Sequence, residues 1–390
     1  MHFGEIEEQG EIVRSIEKLV EQHLPMSAQR QRDAEANPPY ALLRVLGDAG
    51  LLALPFNEAG NGHVQANPAH WQTVALIQYT LGHHAWMLGS LYNRAIGFGG
   101  MSVATYGSEA QREKLLPEIT RGELLFALAL TENGAGSDAS AISCKATRTD
   151  GGFVLNGSKA WVSDAKQADY VIVAARTSGT AGTNVGISLF LLPRGTEGVQ
   201  MTVVDKVGNH CLPTYNVHFD NTFVEDASMM GEFDRGFSHL MSTLHFARAG
   251  MAASVSGYAQ FAVDIALEHA KTRVQFGRSI GNFQIIAHRL ADMQMRVDQS
   301  VLLARELAYR IANGLDCRRQ AAQAKVVATE TLQFVTQHGM QILASNGYDN
   351  SSDMARIWRD SRLYSFGEGS NEIQRNIIAK ELGLNQEPTQ

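Results

Sequence analysis

A chain of 390 residues exceeds what one hydrophobic core holds and points to two or three domains. It is 44% hydrophobic and 19% charged, as soluble globular proteins are, and its net charge of −7 comes without a basic run, which argues against a nucleic-acid partner. No apolar run can span a bilayer, Met1 to Gly10 carries Glu5, Glu7 and Glu8 where a secretory or transit signal would not, and three scattered cysteines (Cys144, Cys211, Cys317) point to a reducing, cytoplasmic setting without a metal site.

Up to about Arg121 the chain reads helical. Ile12, Ile16, Leu19 and Val20 recur at helical spacing, as do Leu42, Leu43 and Leu46. Pro55 to Gly62, rich in Gly and Asn, reads as a loop. Trp71 to Thr105 reads as buried helices, although Arg94 interrupts the apolar run Leu88 to Phe98. Tyr106-Gly107-Ser108 stops one helix and caps another that ends near Gly122. From about Leu124 to Val224 the period falls to two. Phe153-Val154-Leu155, Tyr170 to Val173, Ile187 to Leu191 and Tyr215 to Phe219 read as strands, with turns at Asp150-Gly151-Gly152 and Gly179 to Gly182. Short strands at regular spacing suggest a small barrel or sandwich. From about Gly236 the chain is helical again, and Met293, Val297, Val301, Ala304, Ala308 and Ile311 mark one core face of a bundle, with Gly314 and Gly347 punctuating later helices. The pattern divides the chain into residues 1–123, 124–234 and 235–390.

The segment Phe366-Gly367-Glu368-Gly369-Ser370-Asn371-Glu372-Ile373-Gln374-Arg375 sets a carboxylate between two glycines, where no neighbouring Cβ hinders its approach to another molecule. Ser370 suits the N-cap of a following helix, whose N-terminus attracts phosphate. A surface turn before a capped helix would read the same way. Three further segments stand upstream: Leu130-Thr131-Glu132-Asn133-Gly134-Ala135-Gly136-Ser137-Asp138; Asn156 to Ser163; and Arg273-Val274-Gln275-Phe276-Gly277-Arg278-Ser279-Ile280 with Phe283-Gln284 and Leu290 to Met293.

In this order and at these distances the segments resemble the acyl-CoA dehydrogenase family of flavoproteins, from about Gly50 to Leu384. The resemblance implies an α+β, mainly α fold: an N-terminal helical domain, a central β-barrel-like domain and a C-terminal four-helix bundle. It implies FAD as cofactor and oxidation of an acyl-CoA, or an acyl carrier protein thioester, to the enoyl form. A base takes the α-proton and the flavin N5 takes the β-hydride. Glu368 matches the family's catalytic glutamate, whose backbone N–H also binds the thioester carbonyl. Some relatives carry the base on an earlier helix, just before an arginine. Here that position is Ala247, which cannot serve. Arg248 matches the arginine near the inner end of the substrate channel, or closes a buried ion pair in the bundle.

By the same resemblance, Thr131 and the backbone of Leu130 meet the pyrimidine edge of the flavin. Trp161 lies against the ring, Ser163 approaches N5, and Ser137 reaches a phosphate of FAD and the substrate side. Thr131 and Ser163 as plain strand residues, and Trp161 as barrel core, are the alternatives. Arg273, Phe276, Gln284, Gln341 and Ser345 contact the FAD of a neighbouring subunit, and Ser370 and Glu372 return to the first. Gly367 and Gly369 flank the substrate. The implied partners are an electron-transfer flavoprotein and further copies of the chain, as a tetramer built from two dimers.

No Walker-type or dinucleotide-type glycine motif appears, and the thirteen histidines show no metal-ligand spacing, His83-His84 being adjacent. Four positions depart from the family pattern. Ala344 and Ser345 replace two glycines after Gln341, Gly367 replaces an aromatic residue before the base, Gly208 to Thr214 lacks an arginine, and Asn133 replaces a proline. Gly367 should widen the pocket beside the base and favour a bulky, branched or polar acyl group. Arg94 either recognises an acidic substrate tail or forms a structural ion pair. Two rivals remain: an oxidase or flavin-dependent monooxygenase of the same fold, which Glu368 argues against in the second case, and a flavin-free binding protein, kept open by Ala344 and Ser345.

Overall fold

In the computed structural model, which describes residues 7–58 and 64–384, the helical periodicity of the first third becomes six helices. They are α1 (Glu7–His23), α2 (Met26–Ala34), α3 (Leu42–Asp48), α4 (Trp71–Asn93), α5 (Met101–Tyr106) and α6 (Glu109–Thr120). Ile16, Leu19 and Val20 are the buried face of α1, and Leu42, Leu43 and Leu46 that of α3. Ser108 caps α6 reciprocally with Gln111, each side chain accepting from the other's backbone N–H. The loop expected at Pro55 to Gly62 begins with a strand, β1 (Phe56–Glu58), which pairs antiparallel with β2 (Val64–Ala66); its later part lies outside the described residues.

Helix α4 is not straight. Ala85 leaves the helical region at φ −156°, ψ 65°, which breaks the ladder of backbone hydrogen bonds. One turn beyond, the Gln78 amide, oriented to satisfy both groups, stands between the Gly89 carbonyl (3.1 Å) and Asn93 N–H (3.3 Å). A π-helical segment, Arg94–Gly100, follows directly.

The middle of the chain forms an eight-stranded sheet: β3 (Phe126–Ala129), β4 (Lys145–Thr149), β5 (Gly152–Ser163), β6 (Tyr170–Arg176), β7 (Ile187–Pro193), β8 (Val199–Val203), β9 (Thr214–Glu225) and β10 (Met229–Met230). Its order is β10-β7-β6-β4-β5-β9-β8, with β3 parallel to β6. All four runs read as strands fall inside it, and the Asp150-Gly151 turn joins β4 to β5 through the Thr149–Gly152 pair.

The last third consists of α7 (Gly236–Thr272), the hairpin β11 (Val274–Gln275) and β12 (Arg278–Ser279), α8 (Gln284–Ala312), α9 (Arg318–Leu343), α10 (Ser345–Tyr348), α11 (Asp353–Tyr364) and α12 (Asn371–Glu381). α7, α8 and α9 pack on one another, with α11 and α12 against α9. Met293, Val297, Ala304, Ala308 and Ile311 are buried on α8 as their spacing predicts. The backbones of α4 and α7 nearly touch. A Cβ at Gly82 would stand 2.0 Å from the Ser254 carbonyl oxygen, and one at Gly257 2.0 Å from that of Tyr79. Among the described residues no helix is long and apolar enough to cross a membrane.

Ala344, between α9 and α10, holds φ 53° and ψ −129°, a conformation that glycine tolerates and alanine does not. The backbone there has a shape that glycine adopts far more readily. Ala344→Gly should therefore stabilise the fold by about 1 kcal/mol. Chemical unfolding of the two proteins side by side checks this, with a lower midpoint for the glycine variant counting against the strain.

Candidate active site

A cavity of about 790 Å³ opens between the sheet and the helices α4, α7, α11 and α12. Leu130, Thr131, Ser137, Trp161 and Ser163 line it from the sheet side, and Arg94, Arg248, Gly367, Glu368, Gly369 and Ser370 from the helical side.

The loop carrying Glu368 is fixed at both ends. Gly367 N–H donates to the Leu363 carbonyl (2.9 Å), Asn371 N–H to that of Ser365 (2.8 Å), and Ser370 caps α12 by accepting from Ile373 N–H (3.3 Å). Between these anchors Glu368 sits at φ +55°, unfavourable for a residue with a Cβ, and Gly369 at φ +90°. The Glu368 carbonyl accepts from Gln374 Nε2 (3.4 Å) and Arg248 Nη2 (3.5 Å), both buried. Its backbone N–H has no partner among the described residues and is free for a carbonyl oxygen from outside.

The residue is half-buried overall, yet Oε2 of Glu368 is excluded from solvent and has no hydrogen-bond partner. This desolvation pushes its pKa up to about 7, against the opposing pull of the cations Arg248, Lys325 and Arg94. A carboxylate poised near neutrality is what general-base chemistry asks for.

On the opposite wall the pairing of β5 with β9 slips between Lys159 and Val162. The slip puts Ala160 N–H on the Thr131 carbonyl (2.8 Å) and turns Trp161 to φ +60°, with its residue 54% exposed. Behind it a fully buried ion pair fastens the loop after β3. Lys159 Nζ bonds Glu132 Oε1 (2.7 Å) and the Leu130 carbonyl (3.0 Å), and Glu132 also accepts from the backbone N–H groups of Ser143 and Cys144. An exposed indole flanked by the hydroxyls of Thr131 and Ser163, with Ser137 further along, fits a flat flavin and its phosphate.

The other expected residues fare differently. Leu130 lines the cavity, and its carbonyl accepts from Lys159 Nζ (3.0 Å), which leaves that oxygen a second lone pair. Arg248 closes no ion pair among the described residues, and its Nε is buried without a partner. Arg94 does form the structural pair. Its Nη1 stands 2.5 Å from Oδ2 of fully buried Asp164, whose Oδ1 accepts from Tyr40 Oη (2.7 Å). Arg273, Phe276, Gln284, Gln341, Ser345 and Glu372 are exposed and line no part of the cavity. Apart from its chain neighbours, a Cβ added at Gly367 would meet only the Leu363 carbonyl oxygen, at 3.3 Å, and the adjacent Phe366 itself lines the cavity.

Sequence reasoning missed Asp164, Tyr40, Gln374, Lys206 and Lys325. Lys206 lines the cavity and donates to the Gly208 and Asn209 carbonyls, its pKa pushed down to about 8 by burial. Lys325 could have been noticed as a lone cation among Ala321, Ala322, Ala324 and Val326 on one helix.

Three family descriptions match the chain in succession: the N-terminal domain of acyl-CoA dehydrogenase over residues 6–123, its middle domain over 127–222 and its C-terminal domain over 234–383. The chain is 32% identical to the 3-(aryl)acrylate reductase of Clostridium sporogenes, over 96% of this chain and 98% of that one. A solved structure of glutaryl-coenzyme A dehydrogenase with glutaryl-CoA superposes at TM-score 0.93 with 30% identity, covering 99% of this chain and 98% of that one. A structure of the electron transferring flavoprotein of Acidaminococcus fermentans superposes at TM-score 0.90 with 28% identity, covering 98% and 99%.

The raised pKa of Glu368 has a consequence for stability. Its acid form is favoured by folding, so its contribution is fully present below the ordinary value of 4.5 and is lost as pH rises through about 7. In the ligand-free protein Glu368→Gln should therefore raise Tm more at pH 8 than at pH 5. Melting curves at the two pH values decide; an equal change at both would mean the carboxyl is not desolvated.

Proposed function

The chain belongs to the acyl-CoA dehydrogenase family, whose members are FAD-dependent oxidoreductases, and on that premise we propose that it oxidises an acyl-CoA to its trans-2-enoyl thioester with Glu368 as the base. The observation that carries this reading is the desolvated Oε2 of Glu368, unpartnered inside the cavity, beside a free backbone N–H on the same residue.

The thioester carbonyl accepts from Glu368 N–H, which acidifies the α-carbon and stabilises the negative charge that develops on the oxygen. The Glu368 carboxylate then takes the α-proton. Bound FAD supplies the acceptor for the hydride that leaves the β-carbon. Thr131, Trp161 and Ser163 hold its ring, and Ser137 its phosphate. Arg273, Phe276, Gln284, Gln341 and Ser345 reach the cofactor of a neighbouring copy. The exposure of Phe276, at 93% on the tip of the β11–β12 hairpin, supports such a role for the partner. We assign the oligomer as a tetramer, the electron acceptor as an electron-transfer flavoprotein, and the compartment as cytoplasm.

The acyl end of the cavity is aromatic and polar. Trp86 stacks on Tyr258 (5.2 Å between centroids) and meets Tyr364 edge-on (5.7 Å), with Arg94, Lys206 and Asn209 nearby. Together with the open space at Gly367, this wall favours a bulky, branched or polar acyl group over a straight fatty chain. The reverse reaction is a second reading, favoured by the likeness to a reductase over almost the whole chain. In that direction Glu368 returns a proton to the α-carbon.

Anaerobic titration of the FAD-loaded protein with a panel of acyl-CoAs tests the reading. Bulky, branched or polar acyl groups should bleach the flavin band, straight long chains should not, and Glu368→Gln should slow bleaching about a thousandfold. Bleaching of equal rate in the Gln variant would refute the assignment of the base.

A further inference from the structure

Lys325 is a fully buried lysine on α9, and no step described so far uses it. Its Nζ donates to Oδ1 of Asn371 at 2.9 Å, and one turn further along α9 the Thr329 hydroxyl donates to the same oxygen at 3.1 Å. Asn371 is itself buried and is the first residue of α12, directly after the Ser370 cap. Its N–H returns to the Ser365 carbonyl, so the clamp closes the far end of the loop that carries Glu368.

An ammonium group taken out of water needs a countercharge. Asn371 offers only a neutral oxygen, and Lys325 has no ion-pair partner within 4.0 Å among the described residues. The acids whose charge reaches it are Glu368, then Glu372 and Glu330. Glu372 is exposed, and Glu330 pairs with Arg375 at 2.7 Å. Glu368 is therefore the acid that balances it. Around Glu368 the facing charges are Arg248 from α7, Lys325 from α9 and Arg94 from the π-helical segment. Arg94 is already matched by Asp164, and Arg248 spends Nη2 on the Glu368 carbonyl.

We propose that Lys325 is a positioning residue for the base: through Asn371 it fixes the left-handed turn that aims Glu368 into the cavity, and its charge eases the ionisation of that carboxylate. This rests on Glu368 being the base. Burial pushes Lys325 down to about pKa 8, so at neutral pH it still carries most of its charge.

The test compares Lys325→Gln, Lys325→Met and Lys325→Arg in the FAD-loaded protein. The first readout is the pH dependence of anaerobic flavin reduction by an acyl-CoA substrate. The second is the pH dependence of Tm without substrate, which follows the Glu368 carboxyl independently of turnover. Without the cation the carboxylate is harder to form, so its pKa rises. Both the Gln and the Met variants should move the acid-side midpoint up by about half a unit or more in both readouts. Gln, which can still donate to Asn371, should keep the rate above the midpoint close to wild type, whereas Met should lower it about tenfold through misplacement of the base. Arg should keep the wild-type midpoint. Should the Met variant fail to fold, the Gln and Arg pair still decides. An unchanged midpoint in Lys325→Gln, whatever its rate, would overturn the proposal. A wild-type pH profile that survives Glu368→Gln would overturn the base assignment and this inference with it, which separates the two failures.

Discussion

A carboxylate kept out of water, with cations near enough to hold its pKa at neutrality but none in contact with it, is the constraint on which the rest of this site depends. Full solvation would leave Glu368 too weak a base, and a direct ion pair would hold it ionised and inert. The fold avoids both. Arg248, Lys325 and Arg94 pull on the carboxylate from three different elements, and none forms a salt bridge with it. Arg94 is tied to Asp164, Lys325 donates to Asn371, and Arg248 reaches the carbonyl of Glu368 rather than its side chain.

Holding such a group requires backbone shapes that a chain would not adopt unaided. Glu368 and Trp161 both take left-handed φ values, and they stand on opposite walls of one cavity. In each case the neighbouring backbone over-determines the conformation. Glu368 lies between the Gly367–Leu363 and Asn371–Ser365 hydrogen bonds, and Trp161 beside the Ala160–Thr131 bond. Buried ion pairs stiffen the walls behind them, Lys159 with Glu132 on one side and Arg94 with Asp164 on the other.

The parts of this arrangement that sequence makes legible are those with local causes. Short β-branched runs such as Tyr170 to Val173 became strands, this one buried on both faces of the sheet, and the spacing of Met293 to Ile311 became the core face of α8. Ser370 was readable as a cap because capping needs only three consecutive residues beyond it. What stayed hidden is non-local. Asp164 meets Arg94 and Tyr40 from distant parts of the chain, and a period-two pattern says nothing about such a meeting. Lys325 stands out as a lone cation among small apolar residues, but that its side of α9 is buried depends on what packs on it. The kink at Ala85 leaves no proline or glycine at its own position as a sign. Ala344 shows the converse case. There the replacement was readable in sequence, but the strained positive-φ backbone that alanine adopts was not.

The most direct measurement is the exchange of an α-hydrogen for solvent deuterium in an acyl-CoA whose β-carbon carries no hydrogen, bound to the FAD-loaded protein. Only the proton-transfer half of the chemistry can then occur, and no electron acceptor is involved. Exchange should proceed in the wild-type protein, fall away on the acid side around the Glu368 pKa of about 7, and drop about a thousandfold in Glu368→Gln. Exchange at the wild-type rate in the Gln variant would contradict the central claim, since the α-proton would then be leaving to another group.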